Sequence, residues 1–314
     1  MRRITIAVAT LLIAAVALAG VGNAAPGGKV ASMAGSVAKP KPKKKKKPAK
    51  PKLPALPSQV KQRKHWEIGV KCDFPPFGFI DVRGNNDGYD VQVAQRFAEL
   101  AFGSKKKVSF TCVTTPSRIP TLISGRVDII VSTLTWTQAR SEQIDFSIPY
   151  YSATGRLLVP NDSSLSLSSM GGKTVTTTRG ALYATWMRNC FKNTKILEVD
   201  SPALAVSAVK DGRADAFMFD DAFVLGVATQ DPSLKLTGEK FLNVPWGIGI
   251  RKGETPMDNW VNAALRYMKK RDEFVKFLRN NAPARLVPDF IDNVPRPKNT
   301  FEYPVGKDVT AICP

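Results

Sequence analysis

The sequence predicts an α/β protein of two lobes behind an extended N-terminal arm, and three observations carry that reading. Val127, Ile129, Ile130 and Val131 form a β-branched apolar run, the mark of a strand buried on both faces, and it ends in the hydroxyl residues Ser132, Thr133 and Thr135. Strand and helix signals alternate around this run in two successive series, the order expected of an α/β chain. The first 64 residues instead hold an apolar leader and a Lys/Pro stretch with no apolar period.

The leader comes first. Met1-Arg2-Arg3 precedes an apolar run from Ile4 to Val21, and Gly22-Asn23-Ala24-Ala25 supplies the small residues of a cleavage site, so residues 1–25 read as a signal peptide and the protein as exported. No Cys follows the run, so it is not a lipoprotein leader; left uncleaved, the run is just long enough to act as a membrane anchor. Residues 26–64 read as a disordered linker, because Lys39-Pro40-Lys41-Pro42 and Lys43 to Lys47 repel one another and offer nothing to bury. These first 64 residues carry 15 of the 46 Lys and Arg and no acid, so the net charge of +20 divides into +15 on the arm and +5 on the body. The body is thus only mildly basic. It holds no recognition helix, zinc module or aromatic ribonucleoprotein motif, and nucleic acid is not an expected partner. The arm suits an anionic envelope surface, a lipid headgroup layer or a wall polymer, or serves as a plain spacer.

The body then unrolls as two series. Glu67 to Cys72 is a first strand, Asp90 reads as a helix cap before the apolar face Val91, Ala94, Phe97, Ala98 and Ala101, Val108 to Val113 is a second strand, and Ser117 to Ser124 a short helix leading to Val127–Ser132. A second series follows in Lys173–Thr178, Tyr183–Cys190, Thr194–Val199, Pro202–Lys210 and Ala214–Phe219. Ser152–Val159 and Asn243–Arg251 are the expected connections between the two lobes. Thr255-Pro256 opens a further helix with Trp260, Ala264, Tyr267 and Met268 on one face. The Pro-rich tail from Pro283 is expected to wrap the surface or fray.

Open α/β sheets bind ligands beyond the carboxyl ends of their strands, where helix N-termini offer unpaired N–H groups. Arg140 follows Thr135 by five residues, so a fork that grips a carboxylate can stand beside the hydroxyls. The whole stretch VDIIVSTLTWTQARSEQIDFSIPYY, Val127 to Tyr151, resembles the signature of family 3 extracellular solute-binding proteins, the polar amino-acid binders of ABC importers. The resemblance runs from about Trp66 to Asn280 and is greatest to glutamate- and aspartate-binding members. It implies a two-lobed periplasmic-binding-protein-like (type II) fold, each lobe a mixed sheet flanked by helices, joined by two hinge strands, with the helices after Thr255 returning to the first lobe, so that residues 65–153 and 247–314 form lobe 1 and 154–246 form lobe 2. It also implies a monomer that captures its ligand by hinge closure, presents it to an ABC permease, and needs no cofactor or metal.

Residue by residue, the resemblance implies that Arg140 holds the ligand's α-carboxylate with help from Thr135, and that Thr133 accepts from the ammonium through its carbonyl. Asp220, or its neighbour Asp221, would hold the ammonium from the second lobe, where Thr178, Gly180 and Leu182 form the facing loop. Lys71 lies where glutamine and basic-amino-acid binders commonly carry Asp, and Arg118 in TTPSRIPTL resembles a stretch of the aspartate and glutamate binders. Two cations at the far end imply an acidic side chain, with Phe74 packed on its aliphatic stem. Lys71 could instead pair with a protein acid such as Asp73. Two other readings of the same family remain, a ligand-sensing module for a membrane receptor and a cyclohexadienyl dehydratase-like enzyme.

Other chemistry is thin. His65 is the single histidine and lies at the edge of the arm, so neither a histidine-based triad nor a zinc-histidine cluster is available. The four cysteines, Cys72, Cys112, Cys190 and Cys313, are expected to be oxidised in an exported chain, with three pairings open. The resemblance makes the first two strands neighbours and so favours Cys72 with Cys112, leaving Cys190 for Cys313.

Overall fold

The computed structural model describes residues 52–314; the expected signal peptide and most of the Lys/Pro arm lie outside them. The expected linker is shorter than residues 26–64, because its last residues are folded. Helix α1 (Ser58–Arg63) buries Val60 completely, Arg63 pairs with Asp128, and Lys64 closes the helix in a left-handed conformation, φ 55°. Val60, with Leu53 and Leu56 packed on the core, and one ion pair anchor a segment that composition alone marks as solvated.

The first sheet is built as the alternation requires. Strand β1 (Trp66–Val70) leads into a three-stranded ribbon of β2 (Asp73–Phe74), β3 (Gly78–Ile80) and β4 (Asn86–Asp87), then into helix α2 (Tyr89–Phe102). Helix α2 buries Val91, Ala94, Phe97 and Ala98 on one face and stops where Gly103, φ 74°, returns its N–H to the Glu99 carbonyl. Asp90 is not its cap. Gly88 occupies that position, and Asp90 lies inside the first turn with no exposed surface. Strand β5 (Val108–Cys112), helix α3 (Arg118–Ile123), strand β6 (Ile129–Val131), helix α4 (Gln138–Gln143) and strand β7 (Ile144–Phe146) follow. β1 pairs in parallel with both β5 and β6, so its apolar residues are buried on two faces, as the run at β6 predicts.

The second sheet starts from the long strand β8 (Tyr151–Pro160). It continues through β9 (Thr174–Thr178), helix α5 (Leu182–Cys190), β10 (Lys195–Val199), α6 (Pro202–Lys210), β11 (Ala216–Asp220), α7 (Asp221–Gln230), β12 (Leu234–Leu236) and β13 (Phe241–Trp246). Its order is β10-β9-β11-β8-β12, with β13 also on β8. Strand β14 (Gly249–Arg251) then enters the first sheet, giving the order β5-β1-β6-β14-β7, and helices α8 (Thr255–Lys270) and α9 (Glu273–Asn281) cover it.

The chain passes between the sheets twice, and the two passages touch. Tyr151 on β8 is registered against Trp246 on β13, and their rings stack 4.5 Å apart. Phe77 meets both rings edge-on, so the crossing sits in an aromatic cluster that excludes water from the paired backbones. Helix α9 is tied to α2 by a forked pair between Arg96 and Glu273, at 2.7 and 2.9 Å. Tyr267 is only half-buried on α8, with the guanidiniums of Arg96 and Arg271 over its ring.

Both disulfides form, Cys72 with Cys112 and Cys190 with Cys313. The first joins β1 to β5 at the ends of neighbouring strands. The second ends a tail that neither frays nor stays with the first sheet. Tyr303 stacks on Trp136 and donates to the Ser147 carbonyl at 2.6 Å, whereas Ile312 and Thr310 accept from Trp186 and Asn189 on α5. The end of the chain therefore belongs with the second sheet, against the expectation that residues 247–314 complete the first lobe.

Candidate functional site

Three structural ends converge between the two sheets. The loop after β6 carries Thr133 and Thr135, the start of α3 carries Arg118, and the β11-to-α7 junction carries Asp220. These line one cavity together with Arg140, Leu182, Thr115, Ala181, Tyr183 and Phe219. The carboxyl ends of buried strands thus deliver the polar groups, as the strand-end argument expects.

Local sequence explains each placement. Thr137 caps α4 by accepting from the Arg140 N–H, and that turn aims the Arg140 side chain back at the loop it follows. Arg140 then donates to the Thr135 carbonyl at 2.6 Å and across the cleft to the Gly180 carbonyl at 2.8 Å. Gly180 holds φ 75°, and an added Cβ would sit 3.3 Å from the Pro116 backbone, so glycine permits both the turn and the approach of the lobes. Arg118 donates to the carbonyls of Ser132 and Thr133, at 2.9 and 3.1 Å, and leaves its Nε without a partner. Carbonyl dipoles, not carboxylates, hold both guanidiniums; among the described residues neither forms an ion pair.

The electrostatics follow from burial. Arg118 is 4% exposed, and burial, with Arg140 close by, pushes its guanidinium down to about 9. Burial takes Arg140 to about 10, opposed by Asp220. Both stay charged at neutral pH. Asp220, 5% exposed, accepts a 2.5 Å bond from the Tyr183 hydroxyl, yet burial still pushes its carboxyl up to about 7. Two cations and one carboxylate of weakened acidity therefore face the same cavity.

The other expected residues fall elsewhere. Lys71 is 1% exposed but does not line the cavity, because its ammonium is taken by Asp73 at 2.9 Å and by the Thr115 hydroxyl at 3.1 Å. A buried lysine keeps its charge most cheaply beside a carboxylate, and the turn after β1 brings Asp73 within reach. Phe74 is not at the cavity wall either. It packs on Phe219, Phe223 and Trp246 and fills the space between the sheets, and Phe219 takes the wall position. Asp221 turns to Thr154, bonding its hydroxyl at 2.7 Å, which leaves Asp220 alone facing the cavity. Thr178 buries a hydroxyl that has no partner. Among the residues missed, Thr115 follows β5 as Thr133 follows β6, so the same strand-end rule points to it. Tyr183 gives no such signal, since a helix residue before an apolar face reads as core.

The cavity itself measures about 10 Å³, room for one water molecule. Admitting anything larger requires the lobes to part, which breaks the Arg140 to Gly180 bond. Just outside lies a larger space of about 500 Å³, shared by Arg140, Gly180 and Leu182 with Arg188, Asp308 and Thr310. The tail thus forms part of the rim.

Residues 67–281 match the family described as bacterial extracellular solute-binding proteins, family 3. The chain belongs to that family. This solute-binding protein is 33% identical over 231 residues to the ABC transporter glutamine-binding protein of Bacillus subtilis, covering 72% of this chain and 85% of that one. It is 35% identical over 197 residues to a glutamine-binding protein of Geobacillus stearothermophilus, covering 62% and 75%. Among solved structures, the cysteine-binding protein of Campylobacter jejuni superposes with a TM-score of 0.68 at 30% identity, covering 72% of this chain and 92% of that one. The fold is that of the type II periplasmic binding proteins. Among the described residues no helix of this solute-binding protein is long and apolar enough to cross a membrane.

Proposed function

We propose that the protein captures an acidic amino acid, glutamate or aspartate, between its lobes and delivers it to an ABC importer. One observation carries the choice of ligand: the buried Arg118 and the half-buried Arg140, neither with a carboxylate partner among the described residues, face a single aspartate. A zwitterion matches one arginine and the aspartate. The remaining cation calls for a second anionic group, because a buried charge left uncompensated costs several kcal/mol. Arg140 takes the α-carboxylate, Asp220 the ammonium, and Arg118 the side-chain carboxylate. Lys71 contributes less than the sequence suggests, since Asp73 already balances it.

The glutamine named for the Bacillus relative supports a second reading, in which an amide oxygen accepts from Arg118. Titration calorimetry with glutamate, aspartate, glutamine, asparagine, histidine and arginine separates the two. Glutamate or aspartate is expected to bind tightest. Glutamine as the best ligand replaces the acidic reading with the amide one, and arginine or histidine as the best ligand overturns both.

The arm fits the same setting. Lys52, Lys61, Lys64, Lys105, Lys106 and Lys107 are all exposed, and the Trp66 N–H donated to the Lys107 carbonyl holds the last three beside α1. The face from which the arm leaves is therefore basic, as an anionic envelope surface would require.

A further inference from the structure

Asp90 is a fully buried carboxylate with no ion pair among the described residues, and its position explains why. Its Oδ2 accepts from the Thr133 N–H at 2.9 Å, and the Tyr150 hydroxyl, beside the same carboxylate, also accepts from that N–H at 3.1 Å. Thr133 sits at φ 48°, a left-handed conformation that a β-branched residue keeps only where its surroundings hold it. On the other side of the loop, Arg118 takes the carbonyls of Ser132 and Thr133. The loop is therefore gripped between an anion and a cation. Asp90 Oδ1, Arg118 Nε and Ser132 Oγ are buried and lack hydrogen-bond partners among the described residues, so the grip leaves donor and acceptor capacity on both charged groups.

We propose that Asp90 sets the preference of the site between an acidic side chain and its amide, opposing the charge of Arg118 from behind the Thr133 loop. This rests on the reading that Arg118 receives the end of the ligand's side chain. Asp90 touches no ligand; it acts through Arg118 and is a positioning residue. When Asp90 is ionised it offsets Arg118, and a neutral amide suffices at the far end. When Asp90 is protonated, Arg118 stands uncompensated and an anion is preferred. Burial pushes the Asp90 carboxyl up to about 7, against the Tyr150 hydroxyl, the Thr133 N–H, Arg118 and Lys71, so the switch lies near neutrality. The other groups facing it do not titrate there. Tyr89 and Tyr150 are held well above the ordinary tyrosine value by burial, Arg118 stays charged up to about 9, and Lys71, though lowered by burial, keeps Asp73 as its partner.

The experiment measures Kd for glutamate and glutamine by titration calorimetry from about pH 5.5 to about pH 8.5, in the wild type and in Asp90→Asn. The ratio of the two affinities is the readout, because a general weakening moves both ligands together; Asp220, whose carboxyl is also pushed up to about 7, faces Arg118 too, so a slope that survives undiminished in Asp90→Asn belongs to Asp220 and overturns the proposal. In the wild type the preference for glutamate is expected to fall about tenfold as pH rises through 7, the effect of one charge on its neighbour. Asp90→Asn is expected to hold the glutamate preference at its low-pH value throughout. A ratio that is flat with pH in the wild type and unchanged in the variant overturns the proposal. Should Asp90→Asn fail to fold, Tyr150→Phe removes a hydroxyl that lowers the Asp90 carboxyl and does not act on Asp220, so the midpoint of the ratio is expected to move to higher pH; an unmoved midpoint overturns the proposal. If glutamine binds tighter at every pH while the variant still shifts the ratio toward glutamate, the acidic reading fails and the role of Asp90 stands.

Discussion

Replacing Arg140 with alanine is expected to weaken ligand binding by about 30-fold or more, the consequence of removing one member of a buried charge pair worth ~2–5 kcal/mol. Two losses add. The fork that receives the α-carboxylate disappears, and so does the 2.8 Å bond to Gly180 that ties the lobes across the cleft. Arg140→Lys keeps the charge but not the two parallel N–H donors, so its affinity should fall between wild type and alanine. Stability of the ligand-free protein is expected to move the other way or not at all, since Arg140 is a half-buried cation without a carboxylate partner among the described residues and its removal relieves desolvation. Calorimetry for affinity and thermal melting for stability check both parts. Wild-type affinity in Arg140→Ala would show that the cavity lined by these residues is not where the ligand binds.

Substituting serine at both Cys190 and Cys313 is expected to cost about 2–5 kcal/mol of stability, because that bridge closes a separation of 123 residues in the unfolded chain. The corresponding fall in melting temperature is about 5–15 °C for a domain of this size. Cys72–Cys112 spans only 40 residues and joins strands already registered side by side, so its loss should cost less. The longer bridge also matters for motion. Tyr303 is fixed near the first sheet through Trp136 and Ser147, and Cys313 is bonded to α5 beside the second. The tail between them runs past the rim of the cleft, where Asp308 and Thr310 line the outer space. Without the bridge only hydrogen bonds from Trp186 and Asn189 hold its end, and ligand association and release should both quicken in stopped-flow fluorescence. Unchanged melting and unchanged rates would show that the tail is a passive cover.

The parts of the site that a reader could find in the sequence share a physical reason. Thr133, Thr135 and Asp220 stand at the ends of short, fully buried strands, and Arg140 follows in a capped turn, so local periodicity and one capping residue place all four. Long side chains at the margin escape such reasoning. Lys71 and Phe74 lie in a ribbon whose path no period dictates, and whether each faces the cavity or a neighbour depends on Asp73 and on Phe219 and Phe223. Asp90 shows the same limit from the other side. An acid before an apolar helix face reads as a cap, yet a glycine takes the cap and the carboxylate reaches a backbone N–H 43 residues along the chain. The tail is held by a few scattered contacts, Tyr303 on Trp136 and Ser147, Cys313 on Cys190, and backbone carbonyls accepting from Trp186 and Asn189, with no period that a sequence could show.

A crystal structure of the protein grown with glutamate examines the charge pairing most directly. The account predicts the α-carboxylate on the Arg140 fork, the ammonium within hydrogen-bond reach of Asp220, and the side-chain carboxylate on the free donors of Arg118. A bound ligand whose ammonium lies away from Asp220, or whose side chain points away from Arg118, would contradict it.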